Sequence, residues 1–505
     1  MGCAYITAWP SGDDWRAEGG DSVIPRNVSD VLTAEDAALF IQCANKWDNR
    51  RESNATRSIY FDGEAALKDF GISLPPQMRS ISAALGWHGK GVRAVTDRSR
   101  FEGVVSASGS EDPFEIEQIL ADNQFRSEYP QAKVSSAVHG CSFLTVSMDS
   151  GRPMIHAVSA DTGAGVWDTK RRLLKAFLEI VEIDEQKRPS LMVLYTPERA
   201  ITVAIDQGKP VVVDVVRNPL GRVTVFALPY NPELRRPLGH SRISRASMYF
   251  ADAGLRTIVR AEVSAEFYSA PEYFLFGADV SGFAGDDKWT ALMGRIKAWD
   301  YDSVAGEDAP TLHRFNGASP QPHTDQLRMW QALFAEDQDL EVKFADSSNP
   351  SSADAIFAAK ESLITVTEDA NGRWDAAAVQ ALQTAVMLRD GLRELTPELR
   401  QLTIRSTDPR IVSPTGRANA YTQISSVDPV FATSRVGRAY AGLTQPQILE
   451  LEAAEKKAAS ASRLTLLAEA ARGLRDGNSN AGGRVQASES GSGDSGAVAT
   501  AGLPV

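Results

Sequence analysis

From Ser351 to Arg389 the apolar residues Ile356, Leu363 and Val366 fall at helical spacing. At 1.5 Å per residue, an uninterrupted helix over that stretch is on the order of 55 Å long. A small domain cannot cover such an element, so the chain must be elongated or built from several packed subdomains. Its 505 residues, too many for one ordinary core, point the same way. Ser351 and Asp354 are spaced as a capping box, with the carboxylate near the positive helix end. Asn371-Gly372 joins two poor helix formers in the middle and predicts a kink or a break.

A second long helix is predicted from Ser241 to Phe267. Ile243, Ala246, Phe250, Ala253, Ile258 and Ala261 form its three- and four-residue stripe, and much of its surface is small. Small side chains suit a crowded ring of helices and equally a tight ordinary core. Ahead of it, residues 154–230 read as β structure. Ala200–Ile205 and Pro210–Val216 flank Asp206-Gln207-Gly208-Lys209, a hairpin turn, and Arg222–Leu228 supplies another strand. Helical patterns are predicted from Ser29, over Met78–Leu85 and over Glu128–His139, with a basic, polar run from Asn45 to Arg57. Residues 269–318 read as a compact α/β insertion with strands at Tyr273–Phe276 and Arg295–Tyr301. A helix follows over His323–Asp337, and residues 395–472 read as a helical coda. The first 28 residues read as an arm. The Gly/Ser-rich end, 473–505, lacks the apolar side chains that would offset ordering.

The net charge of −12 excludes a general DNA binder, which needs a basic face to release condensed counterions. It is compatible with a protein that lets DNA slide past without sticking. No apolar run reaches the roughly 20 residues of a spanning helix, and the start lacks the pattern of a signal peptide. Cys3, Cys43 and Cys141 are too few for a disulfide framework. These features predict a cytoplasmic product.

Catalytic and metal patterns fail one by one. The histidines at 88, 139, 156, 240, 313 and 323 make no H-x-x-x-H pair, and no metal or cofactor is expected. His139-Gly-Cys141 lies at a helix-to-strand junction and reads as packing. Gly163-Ala-Gly165-Val-Trp-Asp168 places a carboxylate where a dinucleotide loop needs glycine. Gly86–Gly91 lacks the spacing and the Ser/Thr of a P-loop. Nothing brings nucleophile, base and orienter together, so the chain reads as no enzyme.

Four stretches carry a resemblance. They are Tyr60-Phe-Asp-Gly63 with Gly71-Ile-Ser-Leu-Pro-Pro76 and Arg79; Leu228-Pro-Tyr-Asn-Pro232 with Arg236-Pro237, Gly239 and Ser241–Ala246, running on to Glu266–Pro271; Ala318-Ser-Pro-Gln-Pro322 with Gln326-Leu327; and Asn349-Pro-Ser-Ser-Ala353 with Ala355-Ile356. In this order they resemble the portal (head–tail connector) family of long-tailed bacteriophages, in the branch common in phages of actinobacteria, over about residues 29–445. The resemblance implies an α+β multidomain fold. Its parts would be a mixed α/β wing (29–235), a first stem helix (236–268), a small α/β clip (269–318) and a second stem helix (319–338). A tunnel loop with the long wing helix (339–394) and an α-helical crown (395–472) would follow. It further implies a twelve-subunit ring at one capsid vertex of the virion, assembled in the host bacterial cytoplasm. Double-stranded DNA would pass through it without sequence-specific binding. The implied partners are the terminase large subunit, a head–tail adaptor, and the major capsid and scaffolding proteins. Lys343, Asp346, Ser347, Ser348 and Asn349 would then form the DNA-channel tunnel loop. Glu368–Gly372 departs from the more basic run usual in the family at that place.

Overall fold

The computed structural model describes residues 24–64, 84–106, 112–186, 188–268, 272–276, 296–299, 311–315, 319–341, 353–410, 414–443 and 445–479. Runs of helices and runs of strands follow one another along the chain, which is α+β. Two compact units divide it, Met1–Arg410 and Ile411–Val505.

In the first unit, α1 (Ala34–Asp62) starts where the Thr33 side chain accepts a hydrogen bond from the Asp36 N–H, and it ends at Gly63 in the left-handed region. Its buried stripe of Ala37, Phe40, Cys43, Ala44 and Trp47 lies on a five-stranded antiparallel meander. The meander comprises β4 (Gly163–Asp168), β5 (Leu173–Ile183), β6 (Pro189–Tyr195), β7 (Arg199–Asp206) and β8 (Lys209–Arg217), in that order. The Trp47 indole N–H donates to Asp161 O at 2.7 Å and the Asn54 amide to Ala160 O at 3.1 Å, which ties the helix to the turn before β4. The expected hairpin joins β7 and β8. Asp206 pairs with Lys209, and Gln207 and Gly208 both take positive φ, the geometry that matches the strand twist. Gly163 and Gly165 lie on β4, where a Cβ would collide with Phe177 and Leu174, so their role is close packing.

The other face of the meander meets a second sheet, β3 (Arg152–Ser159)–β2 (Cys141–Asp149)–β9 (Val225–Pro229), through Phe143, Phe177 and Val225. The largest core lies beyond. There α4 (Phe125–His139) and the C-terminal part of α7 (Ala353–Asp390) bury Tyr129, Ala378, Leu382 and Val386 against β2 and β9. Trp374 is fully buried, and its indole N–H donates to Ser136 Oγ, which in turn donates to Leu228 O at 2.6 Å.

Three expectations need correction. The predicted kink at Asn371-Gly372 is absent, because α7 runs unbroken through it. Asn371 is buried and accepts a hydrogen bond from Ser99 Oγ, while Gly372 faces open space; tertiary packing outweighs weak local propensity. The coda is not wholly helical. Leu402–Ser406 forms β13, paired antiparallel with β1 (Phe101–Ser106). A helix not foreseen, α2 (Trp87–Thr96), occupies the glycine-rich stretch that lacks P-loop spacing. The predicted helix at 78–85 falls almost wholly outside the described residues. In the second unit, α8 (Pro414–Val427), α9 (Pro429–Thr433), α10 (Arg435–Tyr440) and α11 (Gln445–Ser479) follow one another. Arg435 holds Glu452 through two 2.6 Å bonds.

One buried charge joins distant parts of the first unit. Lys133 on α4 has no exposed surface. Its ammonium donates to Ser99 O (3.1 Å), Ser99 Oγ (2.8 Å) and Ser406 Oγ (3.3 Å), and lies 3.6 Å from Asp375 Oδ1 on α7. Tyr129 Oη and Ser406 Oγ also donate to that carboxylate, and the Tyr129 ring stacks 4.3 Å below the ammonium. Burial pulls the Lys133 pKa from 10.5 down to about 8, against the opposing pull of Asp375. Lys133→Ala strands the carboxylate and is expected to cost about 3–5 kcal/mol in urea unfolding. Between about pH 8 and 10.5 the unfolded chain holds a proton that folded Lys133 has released. The wild type should therefore gain stability relative to Lys133→Ala as pH rises through that window, and a constant difference would remove this role.

Candidate functional site

The sequence order helix, small sheet, helix appears as two packed helices with strands between them. α5 (Arg245–Tyr268) and α6 (Gln321–Asp337) lie against each other. The residues between them supply β10 (Glu272–Phe276), parallel to β11 (Ile296–Trp299) and antiparallel to β12 (Thr311–Phe315). Trp330 of α6 meets Phe250 in a stacked contact at 6.5 Å and Tyr249 edge-on at 6.1 Å. Gly254 lets α5 approach α2, since a Cβ there would meet the Trp87 ring at 2.8 Å.

His88 of α2 sits at the meeting of four helices. Its ring packs edge-on against Tyr60 (5.2 Å) and Phe334 (5.1 Å). Ser247 gives its hydroxyl proton to Ser244 O, so it accepts from the Nε2–H of His88 at 3.2 Å. Burial lowers the His88 pKa to about 4 and keeps the ring neutral. Tyr60 Oη donates to Asp252 at 2.8 Å, a further tie from α1 to α5.

The base of the pair is fixed by Arg242, which is buried. Its guanidinium donates to Gly91 O (2.9 Å), Tyr230 Oη (2.8 Å) and Gln338 O, and Gln338 Nε2 donates back to Arg242 O at 3.0 Å. Ser244 Oγ donates to the Asp337 carboxylate. One planar fork thus holds α2, the Tyr230 turn and the end of α6 where α5 begins.

Of the residues named for stem packing, Ile243 and Ala253 are buried, and Phe250, Ile258 and Ala261 are partly buried. Ala246 is exposed. Ser247, Ala251, Leu255 and Val259 complete the buried side. Lys343, Asp346, Ser347, Ser348, Asn349 and Ser351 lie outside the described residues. Asp354 falls in the first turn of α7, and its side chain also lies outside them.

A cluster the sequence did not reveal joins Ser58, His139 and Asp161. Ser58 Oγ and Asp161 Oδ2 each stand 3.0 Å from the same ring nitrogen, Nε2, while Nδ1 faces Ser135. A proton relay needs the hydroxyl and the carboxylate on opposite nitrogens, so this is a structural knot. Burial raises the Cys141 thiol far above its ordinary range and the Cys43 thiol to about 12, which leaves both inert. Among the described residues no His/Cys/Asp/Glu cluster could hold a metal ion.

The family described as "Phage portal protein, SPP1 Gp6-like" matches residues 42–458. The chain belongs to this phage portal family. It is similar to the portal protein of Mycobacterium phage L5, 24% identical over 404 residues, which cover 77% of this chain and 82% of that one. It is also similar to the portal protein of Mycobacterium phage D29, 23% identical over 407 residues with the same coverage. The expected tie to phages of actinobacteria is met by these two. Among solved structures, the neck of a native GTA particle computed with C12 symmetry has a TM-score of 0.37 at 12% identity, covering 77% of this chain and 98% of that one. The neck of an empty GTA particle computed with C6 symmetry has a TM-score of 0.38 at 12% identity, covering 73% and 94%. Phage portal proteins are structural components of the virion.

Arg242→Lys in this portal chain replaces three separate nitrogens, Nε, Nη1 and Nη2, each bonded to a different segment, with one ammonium that does not span the same three acceptors. It is expected to cost about 2–3 kcal/mol in urea unfolding, and an unchanged midpoint would show that the fork is dispensable.

Proposed function

We propose that the chain assembles as a twelve-subunit ring at one capsid vertex, with double-stranded DNA entering and leaving through its central channel. The family match over residues 42–458 carries this reading. On it, α5 and α6 are the two stem helices, the strands between them belong to the clip, and α7 is the long wing helix below the tunnel loop. Terminase large subunit docks on the ring during packaging and a head–tail adaptor afterwards, with the major capsid and scaffolding proteins around it. The net charge of −12 supports a channel that DNA traverses without adhering. Apolar side chains left in water support assembly with neighbours. Val213 and Val215 are 63% and 52% exposed on the edge strand β8. Leu464, Leu466 and Leu467 are about two-thirds exposed on α11.

Purified protein without DNA or nucleotide is expected to form closed rings with a central hole in negative-stain images and a ring mass in native mass spectrometry. A monomer or a twofold dimer alone would overturn the reading. Ser347→Lys with Ser348→Lys tests the tunnel loop within such rings. The added charges reach phosphates within a Debye length of about 8 Å and make DNA adhere in a salt-dependent way. Packaging should slow at low salt and recover as salt rises. Normal packaging by well-formed mutant rings at every salt concentration would place this segment away from the DNA.

A further inference from the structure

Two basic segments far apart in sequence meet on one cleft of about 710 Å³. Lys46, Arg50 and Arg57 come from the basic run of α1; Arg235, Arg236 and Arg245 come from the loop that leads into α5 and its first residue. No carboxylate is among the described residues that line it.

The cations are not neutralised where they stand. The Arg57 guanidinium is held below its ordinary value, first by burial and then by the charges of Arg50 and Arg236, with Asp161 opposing. Its hydrogen bonds go to neutral acceptors, Asn54 Oδ1 at 3.5 Å and His139 O at 3.2 Å. Among the described residues Lys46, Arg50, Arg235 and Arg245 make no ion pair. Gathering like charges without counter-charges costs free energy in the isolated subunit, and a partner of opposite sign removes that cost.

The lining distinguishes between classes of partner. Trp167, Leu238 and Met248 give the cleft an apolar part beside its cations. A protein surface with an apolar centre ringed by charge fits that combination. Duplex DNA is held by cations spaced along its backbone, whereas these six surround one recess. We infer that the cleft is a socket for an acidic, apolar-anchored surface of a second copy of this chain. It is one half of the contact that closes the ring, and to that extent it rests on the ring reading above. A head-to-tail contact joins two different patches of the same chain. With these six cations set aside, the remainder of the chain is more acidic still than its overall −12, so each neighbour carries the complementary sign.

The test compares wild type with Arg50→Glu/Arg236→Glu and with the charge-keeping Arg50→Lys/Arg236→Lys, by native mass spectrometry and sedimentation velocity. Both side chains are exposed, so circular dichroism and Tm should stay at wild-type values. Arg50→Gln/Arg236→Gln replaces the first variant if that one does not fold. Association is expected to weaken by roughly tenfold or more in the glutamate variant and to persist in the lysine variant. Filaments or other open assemblies that depend on the same arginines would keep the socket and remove the ring. Rings formed equally well by the glutamate variant would keep the ring and overturn the socket. A wild type that stays monomeric would overturn both. A glutamate variant that assembles normally but no longer binds a short DNA duplex would assign the cleft to nucleic acid and overturn the inference.

Discussion

Lys133 brings a positive charge to a place where none of its surface meets water, and the groups that accept it come from segments far apart in the chain. Ser99 follows α2, Asp375 lies midway along α7, and Ser406 ends β13. A buried pair of this kind adds little over a well-packed apolar substitute, yet removing one partner is expensive. Its effect is to make several elements mutually dependent. α4 is tied to α7 through the carboxylate, and β1 is joined through β13 to the same ammonium. Asn371 joins the set through Ser99, so the expected weak point of the long helix lies among its tightest contacts.

The sequence revealed most where local geometry alone decides the outcome. The β7–β8 hairpin was legible because Gln207-Gly208 takes a turn that few residue pairs adopt easily. The α5 and α6 helices were legible to within a few residues at their ends. Elements made by distant partners were not. Leu402–Ser406 is a strand because Phe101–Ser106 lies beside it, roughly three hundred residues earlier, and no period in five residues announces that. The α2 helix was hidden by Gly86, Gly89 and Gly91, which argue against a helix locally. Gly91 is explained by its neighbours, since a Cβ there would meet Gln338 Oε1 at 2.8 Å.

The candidate site divides along the same line. The basic run of α1 was visible in one dimension, but its convergence with Arg235, Arg236 and Arg245 depends on how α1 crosses the entry to α5. Arg242 stood inside a recognisable family motif, yet its three acceptors come from three separate segments. The Ser58–His139–Asp161 knot teaches the reverse lesson. The right residue types came together without any spacing to predict them, and only the choice of ring nitrogen tells structure from catalysis.

The unbroken α7 carries a mechanical consequence. From Leu363 onward it is gripped by the core, with Trp374, Ala378, Leu382 and Val386 buried along it. A hydrogen-bonded helix without proline or a π-bulge bends only gently. It therefore behaves as a stiff lever fixed along its far half. A sideways push on its first turns is carried along the rod to the buried contacts that hold it from Leu363 onward.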